Sequence, residues 1–354
     1  MENLISLAVK YRPTTFSDVV EQDNIKRILQ TQIDNNDIRN VYLFTGSAGT
    51  GKTTNARIFA NEINRYKGNP IEIDAASNSG VDNVRDIIDQ AKTKSISSEY
   101  KIFIIDECHS LSNTAWQALL KLIEEPPQKT IFIFCTTNPE KIPNTILSRV
   151  QRFDFKRISL NGIMYKLKDI IQKEGISDVE MGALEYIAKL ADGGMRDAIT
   201  MLDKCLAYDK KISLDNVISV LGECDNEYLD NIVYGLITNN DSTIINTIEK
   251  IHLEGFDLSQ FIDKEIIYVL DILKYLQTGN MDICQQPTYV KDKYFGKYKH
   301  INSMILITIL DGIINISNSI KYNNSIKNII EANLLLLNNK ISTEVNNNGN
   351  CRAD

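Results

Sequence analysis

A chain of 354 residues exceeds one ordinary domain, and roughly 100–200 residues per domain implies two or three. Its formal net charge of −7, from 39 Lys and Arg against 46 Asp and Glu, excludes a protein that coats nucleic acid non-specifically; any DNA contact must be local. Six scattered cysteines (Cys108, Cys135, Cys205, Cys224, Cys284, Cys351), with no C-x-x-C pair and only three histidines, indicate neither a zinc site nor a disulfide framework. The N-terminus lacks a basic opening and a long apolar core, and the apolar run at 304–310 is broken by Asp311. Neither a signal peptide nor a membrane span is expected, and the expected location is the reduced cytoplasm.

Apolar positions between 18 and 33 recur at near-helical spacing, and an apolar run at 41–44 then reads as a buried strand. Directly after it, Gly46-Ser47-Ala48-Gly49-Thr50-Gly51-Lys52-Thr53 fits G-x-x-x-x-G-K-S/T, with Thr54 opening a helical segment that reaches 64. Strand before and helix after is the setting a phosphate-binding loop needs. Glycines let backbone N–H groups curl around phosphates, Lys52 supplies a mobile positive charge, and the Thr53 hydroxyl is a ligand for Mg²⁺. Strand 71–73 and helix 81–93 follow. The next strand, 102–105, runs into Asp106-Glu107-Cys108-His109, which reads as a Walker B site. Asp106 would hold Mg²⁺, and Glu107 would polarise the water that attacks the γ-phosphate. An acidic pair after an apolar strand is unremarkable alone; an upstream phosphate loop makes it specific. A helix at 113–124 ends at Pro126-Pro127, and 131–135 is a further strand, giving an α/β pattern with a parallel sheet.

After 155 the character changes. Segments 160–174, 178–191, 196–208 and 214–221 read as amphipathic helices forming a small lid. A further set at 226–236, 242–252, 258–276, 302–316 and 325–337 reads as an all-helical third domain. The Asn-rich end is expected to be disordered. The expected organisation is a nucleotide-binding domain at 1–157, a helical lid at 158–222, a helical collar at 223–340 and a disordered tail at 341–354.

The letters Asp-Glu-Cys-His also fit a DExH-type helicase. That class needs a second parallel sheet with its own arginine-rich ATP motif, and the helical periodicity beyond Leu160 argues against one.

Taken together, Tyr11-Arg12-Pro13, Asp18-Val19-Val20, the phosphate loop, Ile71-Glu72-Ile73-Asp74-Ala75-Ala76-Ser77, Asp106-Glu107-Cys108-His109, Glu124-Glu125-Pro126-Pro127, Thr136-Thr137-Asn138-Pro139, Ser148-Arg149 and Gly194-Met195-Arg196-Asp197-Ala198 occur in a specific order. In that order the chain resembles the gamma/tau subunits of bacterial DNA polymerase III, the clamp-loader ATPases, over most of its first 220 positions. The resemblance implies an AAA+ fold and ATP with Mg²⁺. It implies that Arg12, Val19 and Val20 border the nucleotide, that Asn138 is sensor 1, and that Arg196 is sensor 2. It makes Arg149 an arginine finger that completes a neighbouring subunit's ATP site, and Arg85 a DNA contact. The implied partners are a sliding clamp, the other subunits of a hetero-pentamer, and primer-template DNA, with no membrane. The alternative is a stand-alone AAA+ DNA remodeller or branch-migration motor.

Departures from the family pattern are equally readable. Positions 61–70 cross directly where cellular relatives insert a cysteine-rich zinc module, so no zinc is expected. Ser148-Arg149-Val150 replaces Ser-Arg-Cys, Glu21 stands where a glycine is usual, and Asn78, Gly80 and Asn113 occupy places that are often basic. The regions that tether helicase and polymerase in longer relatives are expected to be absent.

Overall fold

The computed structural model describes residues 5–221, 226–281, 283–286, 288–320 and 325–350. The chain divides into two compact units, Met1–Ser177 with Ala191–Ala207, and Asp178–Leu190 with Tyr208–Asp354.

In the first unit the elements run α1 (Leu7–Lys10), α2 (Asp23–Asp34), β1 (Val41–Thr45), α3 (Lys52–Ile63), β2 (Ile71–Asp74), α4 (Val81–Ala91), β3 (Lys101–Asp106), α5 (Asn113–Glu124), β4 (Thr130–Thr136), α6 (Asn144–Leu147), β5 (Gln151–Asp154) and α7 (Leu160–Lys173). The strands form one sheet in the order β2-β3-β4-β1-β5, and every pairing is parallel. Burial on both faces is why the central strands read as unbroken apolar runs. Alternation still sorts their side chains. Tyr42, Phe44, Ile102, Ile104, Ile131 and Ile133 enter one core with Leu29 of α2 and Phe59 of α3. Leu43, Phe103, Ile105, Phe132 and Phe134 enter the opposite core with Val84 of α4 and Trp116 and Leu119 of α5. A three-layer α/β/α sandwich results. Strand β5 escapes a sequence reading because only Phe153 of its four residues is buried. Val150, in the place of the family's cysteine, packs against the second core.

Beyond α7 come α8 (Met181–Leu190), α9 (Met195–Tyr208) and α10 (Leu214–Leu221). The division between the units falls inside the segment expected to be a single lid: α7 and most of α9 group with the sheet, α8 and α10 with the second unit. Within that second unit a parallel bridge joins Val179 to Ile212, and the Glu180 carboxylate accepts from the Leu214 N–H at 2.9 Å.

The second unit continues with α11 (Asn226–Ile237), α12 (Asp241–Leu253), α13 (Leu258–Thr278), α14 (Thr288–Lys293), α15 (Ser303–Ile320) and α16 (Ile326–Asn350). Its core is built from Ile and Leu at helical spacing, including Ile232, Ile248, Ile262, Val269, Ile309, Ile313 and Leu334. The short helix α14 was not foreseen. At Gly312 a Cβ would come 2.5 Å from Leu337, so glycine lets α15 and α16 approach. Among the described residues α15 alone is long and apolar enough to cross a membrane by length and composition, but its Leu306, Ile309, Ile313 and Ile316 lie in the helical core. One expectation is corrected here: the backbone of α16 stays helical through Asn350, well into the segment 341–354 expected to be disordered. Asparagine is a weak but permissible helix residue, and extending an existing helix avoids the cost of nucleating one. Positions 351–354 lie outside the described residues.

Candidate nucleotide site

All the strands are parallel, so their carboxyl ends lie along one edge of the sheet, where ligands of open α/β sheets bind. The phosphate loop leaves β1 at that edge. Gly46, Gly49 and Gly51 have φ of 143°, 70° and 97°. At Gly46 a Cβ would sit 2.4 Å from the Phe155 carbonyl oxygen, and at Gly49 it would sit 2.9 Å from Gly194, so neither place admits a side chain. The loop is internally braced by Thr50 Oγ1, which donates to the Ser47 carbonyl at 2.8 Å. The Gly49 carbonyl accepts the Met195 N–H at 3.0 Å, which holds the start of α9 against the loop.

Lys52 is buried, and its Nζ donates to the Gly46 and Ser47 carbonyls, both at 2.8 Å. Burial pushes its ammonium pKa below the ordinary value, against the opposing charges of Glu107 and Asp106. Thr53 Oγ1 lies 2.7 Å from Asp106 Oδ2, so the hydroxyl and the carboxylate expected to hold Mg²⁺ converge from α3 and β3. Two oxygen donors side by side suit a hard cation that keeps several waters. Glu107 turns away from the strand with a φ of 47°. Its Oε2 accepts from Thr137 Oγ1 at 3.2 Å and lies 3.2 Å from His109 Nδ1, which is also 3.1 Å from Thr136 Oγ1. Asn138 follows directly, its N–H donating to Thr136 Oγ1 at 3.0 Å, so the end of β4 stands beside the acidic pair.

These groups open onto a cleft of about 480 Å³, the size of a small-molecule site. Arg12, Val19, Val20, Ala48, Gly49, Thr50, Gly51, Lys52, Thr53, Thr54, Asp106, Glu107 and Arg196, all predicted from sequence, line it. Gly46 and Ser47, also predicted from sequence, do not line it; their carbonyls accept from Lys52 Nζ. Asn138 does not line the cleft but is one residue from Thr137, the partner of Glu107. Arg149 is elsewhere: between α6 and β5, exposed, 2.8 Å from Glu124 Oε1, and donating to the Thr145 carbonyl at 2.7 Å. Arg85 is on the exposed face of α4, paired with Asp82 at 2.8 Å.

The cleft also holds residues that the sequence reading missed, chiefly Arg57 and Lys166. Arg57 lies on the helix face of Thr53 and Thr54, a spacing that could have flagged it; Lys166, on α7, carried no such signal. Arg57 pairs with Glu72 of β2 at 2.5 Å, while its Nε is buried without a hydrogen-bond partner. Burial, and then the like charges of Arg57 and Arg196, lower the Arg12 pKa. Three guanidiniums crowd one wall. An anion would relieve them.

A family model described as "DNA polymerase III clamp loader subunit, ATPase lid domain" matches residues 162–211, and one described as "DNA polymerase III, delta subunit" matches 69–159. DNA polymerase III subunit tau of Bacillus subtilis (strain 168) is 37% identical over 323 residues, which is 85% of this chain and 57% of the relative. The chain is thus similar over most of its length to the gamma/tau family of DNA polymerase III subunits. Another member, the subunit tau of Escherichia coli (strain K12), is 33% identical over 71% of this chain and 42% of its own length, so the chain spans about half the length of such gamma/tau relatives. The fold is also that of the Thermotoga maritima RuvB Holliday junction branch migration motor, with a TM-score of 0.51 and 21% identity over 64% of this chain and 79% of that one. In this chain that fold is the five-stranded parallel sheet with its flanking helices.

Proposed function

We propose that this chain is the ATPase subunit of a DNA polymerase III clamp loader, which uses ATP binding and hydrolysis to load a sliding clamp onto primer-template DNA during replication in the cytoplasm. One observation carries the reading: the phosphate loop, the Thr53–Asp106 pair, Glu107 and Arg196 meet in one cleft, while Arg149 is held on the outside of the same domain.

ATP is the substrate. The N–H groups of the loop and of the first turn of α3 receive the phosphate oxygens, and Lys52 exchanges its two carbonyl acceptors for them. Thr53 and Asp106 would hold Mg²⁺, which when bound neutralises charge on the β- and γ-oxygens. Glu107, oriented by Thr137 and His109, polarises the attacking water, and Asn138 fixes that water's position. Arg196 approaches the γ-phosphate from α9. Arg12, Val19 and Val20 close the far end of the cleft. Arg149 leaves Glu124 to enter the site of the adjacent subunit, where it stabilises charge developing in the transition state. Hydrolysis is then assembled between subunits of a hetero-pentamer.

Steady-state hydrolysis by the co-purified assembly, with and without primed DNA and the sliding clamp of the same genome, tests this. Joint stimulation by clamp and DNA is expected. Stimulation by DNA alone would replace the loader with a branch-migration motor or remodeller.

A further inference from the structure

Asp18, Val19 and Val20 form one wall of the nucleotide cleft, and the two residues that follow have unusual backbone geometry. Glu21 and Gln22 are both left-handed, with φ of 58° and 57°, a region that disfavours side-chain-bearing residues. At the first of them the family commonly has glycine, which adopts this conformation freely. The glutamate puts its side chain to use. Its carboxylate accepts the Ser159 N–H at 3.1 Å and also the Ser159 hydroxyl. Ser159 is itself the N-cap of α7, with its Oγ accepting the Gly162 N–H at 3.0 Å. A Cβ at Gly162 would come 2.5 Å from Glu21 Oε1, so the carboxylate is seated directly against the first turn of the helix. Gln22 grips the approach to the same helix: its Nε2 donates to the Lys156 carbonyl at 2.6 Å and its Oε1 accepts the Lys156 N–H at 3.2 Å. Two consecutive side chains thus bracket the chain that leads from the sheet into α7.

Behind the Asp18–Val20 wall lies a second cavity of about 410 Å³, bounded by the same residues and by Tyr165, Lys166, Asp169 and Lys173 of α7. On its own side the wall is anchored by Val19, which packs with Phe16, Ile25 and Leu29, whereas towards α7 the volume is open and the Glu21–Gln22 bracket ties the two together. The helix returns to the cleft through Lys166, which closes a mechanical loop.

We infer that Glu21 and Gln22 are positioning residues that couple the nucleotide-contacting segment to α7, so that filling the cleft orders the start of the lid. This rests on the cleft being a nucleotide site. The test is hydrogen exchange on the intact chain, free and with ADP or a non-hydrolysable ATP analogue, in the wild type, in Glu21→Gly and in Ser159→Ala. Glu21→Gly removes the bracket while supplying the residue that prefers this backbone, and Ser159→Ala cuts the same contact from the other side. In the wild type, nucleotide slows exchange both in the phosphate loop, 46–54, and in the first turns of α7, 160–166, by on the order of tenfold. In either variant the loop keeps its protection while that of 160–166 is lost, a split that simple loss of stability would not give. Nucleotide protection of 160–166 that is undiminished in both variants, or absent from the wild type while the loop is protected, overturns the coupling. A wild-type loop unprotected by nucleotide would overturn the site itself, and the coupling with it.

Discussion

Glu265 is the least accommodated group in the helical unit. It is fully buried on α13, and neither carboxylate oxygen has a hydrogen-bond partner. The nearby acid is Asp230, whose carboxylate is already engaged by Tyr268 at 3.0 Å, by Tyr298 at 2.7 Å and by Lys297. Burial, reinforced by the charge of Asp230, raises the Glu265 pKa well above the ordinary 4.5. The folded state therefore keeps a proton that the unfolded chain releases. The resulting stability is fully present below about pH 4.5 and declines as pH rises towards the folded value. One proton gives a limiting slope of about 1.4 kcal/mol per pH unit, so two units cost up to about 2.7 kcal/mol. In a helical unit of this size that corresponds to a melting shift of roughly 5–11 °C. Glu265→Gln removes the titration without changing the shape. Calorimetry of the full chain between pH 5 and pH 7 should show the variant's melting temperature pulling ahead of the wild type as pH increases. A constant difference across that range would refute the argument, because groups common to both proteins cancel.

The catalytic assignments give distinct outcomes. Lys52→Ala removes the only ammonium seated in the loop and should weaken ATP binding by roughly 2–4 kcal/mol, about 30- to 1000-fold in equilibrium titration; near-normal affinity would exclude the site. Glu107→Gln should bind ATP normally yet lower kcat by roughly 10²–10⁴-fold, and single-turnover assays would separate it from Asp106→Asn, which should lose Mg²⁺-dependent affinity as well. Arg149→Ala, assayed in the assembled loader with clamp and primed DNA, should lower kcat by roughly 10³-fold or more with nucleotide affinity retained; an unchanged rate would reduce Arg149 to a surface partner of Glu124. Arg57→Ala should free Glu72 and weaken nucleotide binding about tenfold, since one of three crowded cations is lost; unaltered binding would make the Arg57–Glu72 pair a brace for β2 alone.

The phosphate loop and the acidic pair were legible because their chemistry is local: one short segment supplies the amides, Lys52 and Thr53, and one strand end supplies Asp106 and Glu107. The central strands were legible because burial on both faces leaves unbroken apolar runs, whereas β5, at the sheet edge, buries one side chain in four. Lys166 was invisible because its place in the cleft is set by how α7 folds back, not by any neighbour in sequence. The helical end of α16 was misread because asparagine content reports a residue's intrinsic preference, not the helix already formed before it. Glu21 shows the same limit from the opposite side. Sequence marks it only as a missing glycine, but its left-handed backbone and its seat on Ser159 make the substitution intelligible.

Charge links the cleft to the proposed assembly. Arg12, Arg57 and Arg196 act on one another as like charges in the cleft, with partial compensation from Glu72, which pairs with Arg57 and also attracts Arg12, so an entering polyanion relieves their repulsion. Arg149, by contrast, is balanced in advance by Glu124, at a half-exposed pair that solvent screens and that is therefore inexpensive to break. An arginine proposed to leave its own domain for a neighbour's γ-phosphate needs such a weak holding partner. On the proposed reading the two arrangements are complementary: the cleft would bind the triphosphate by its own charge, and Arg149, loosely held by Glu124, would be available to a second subunit.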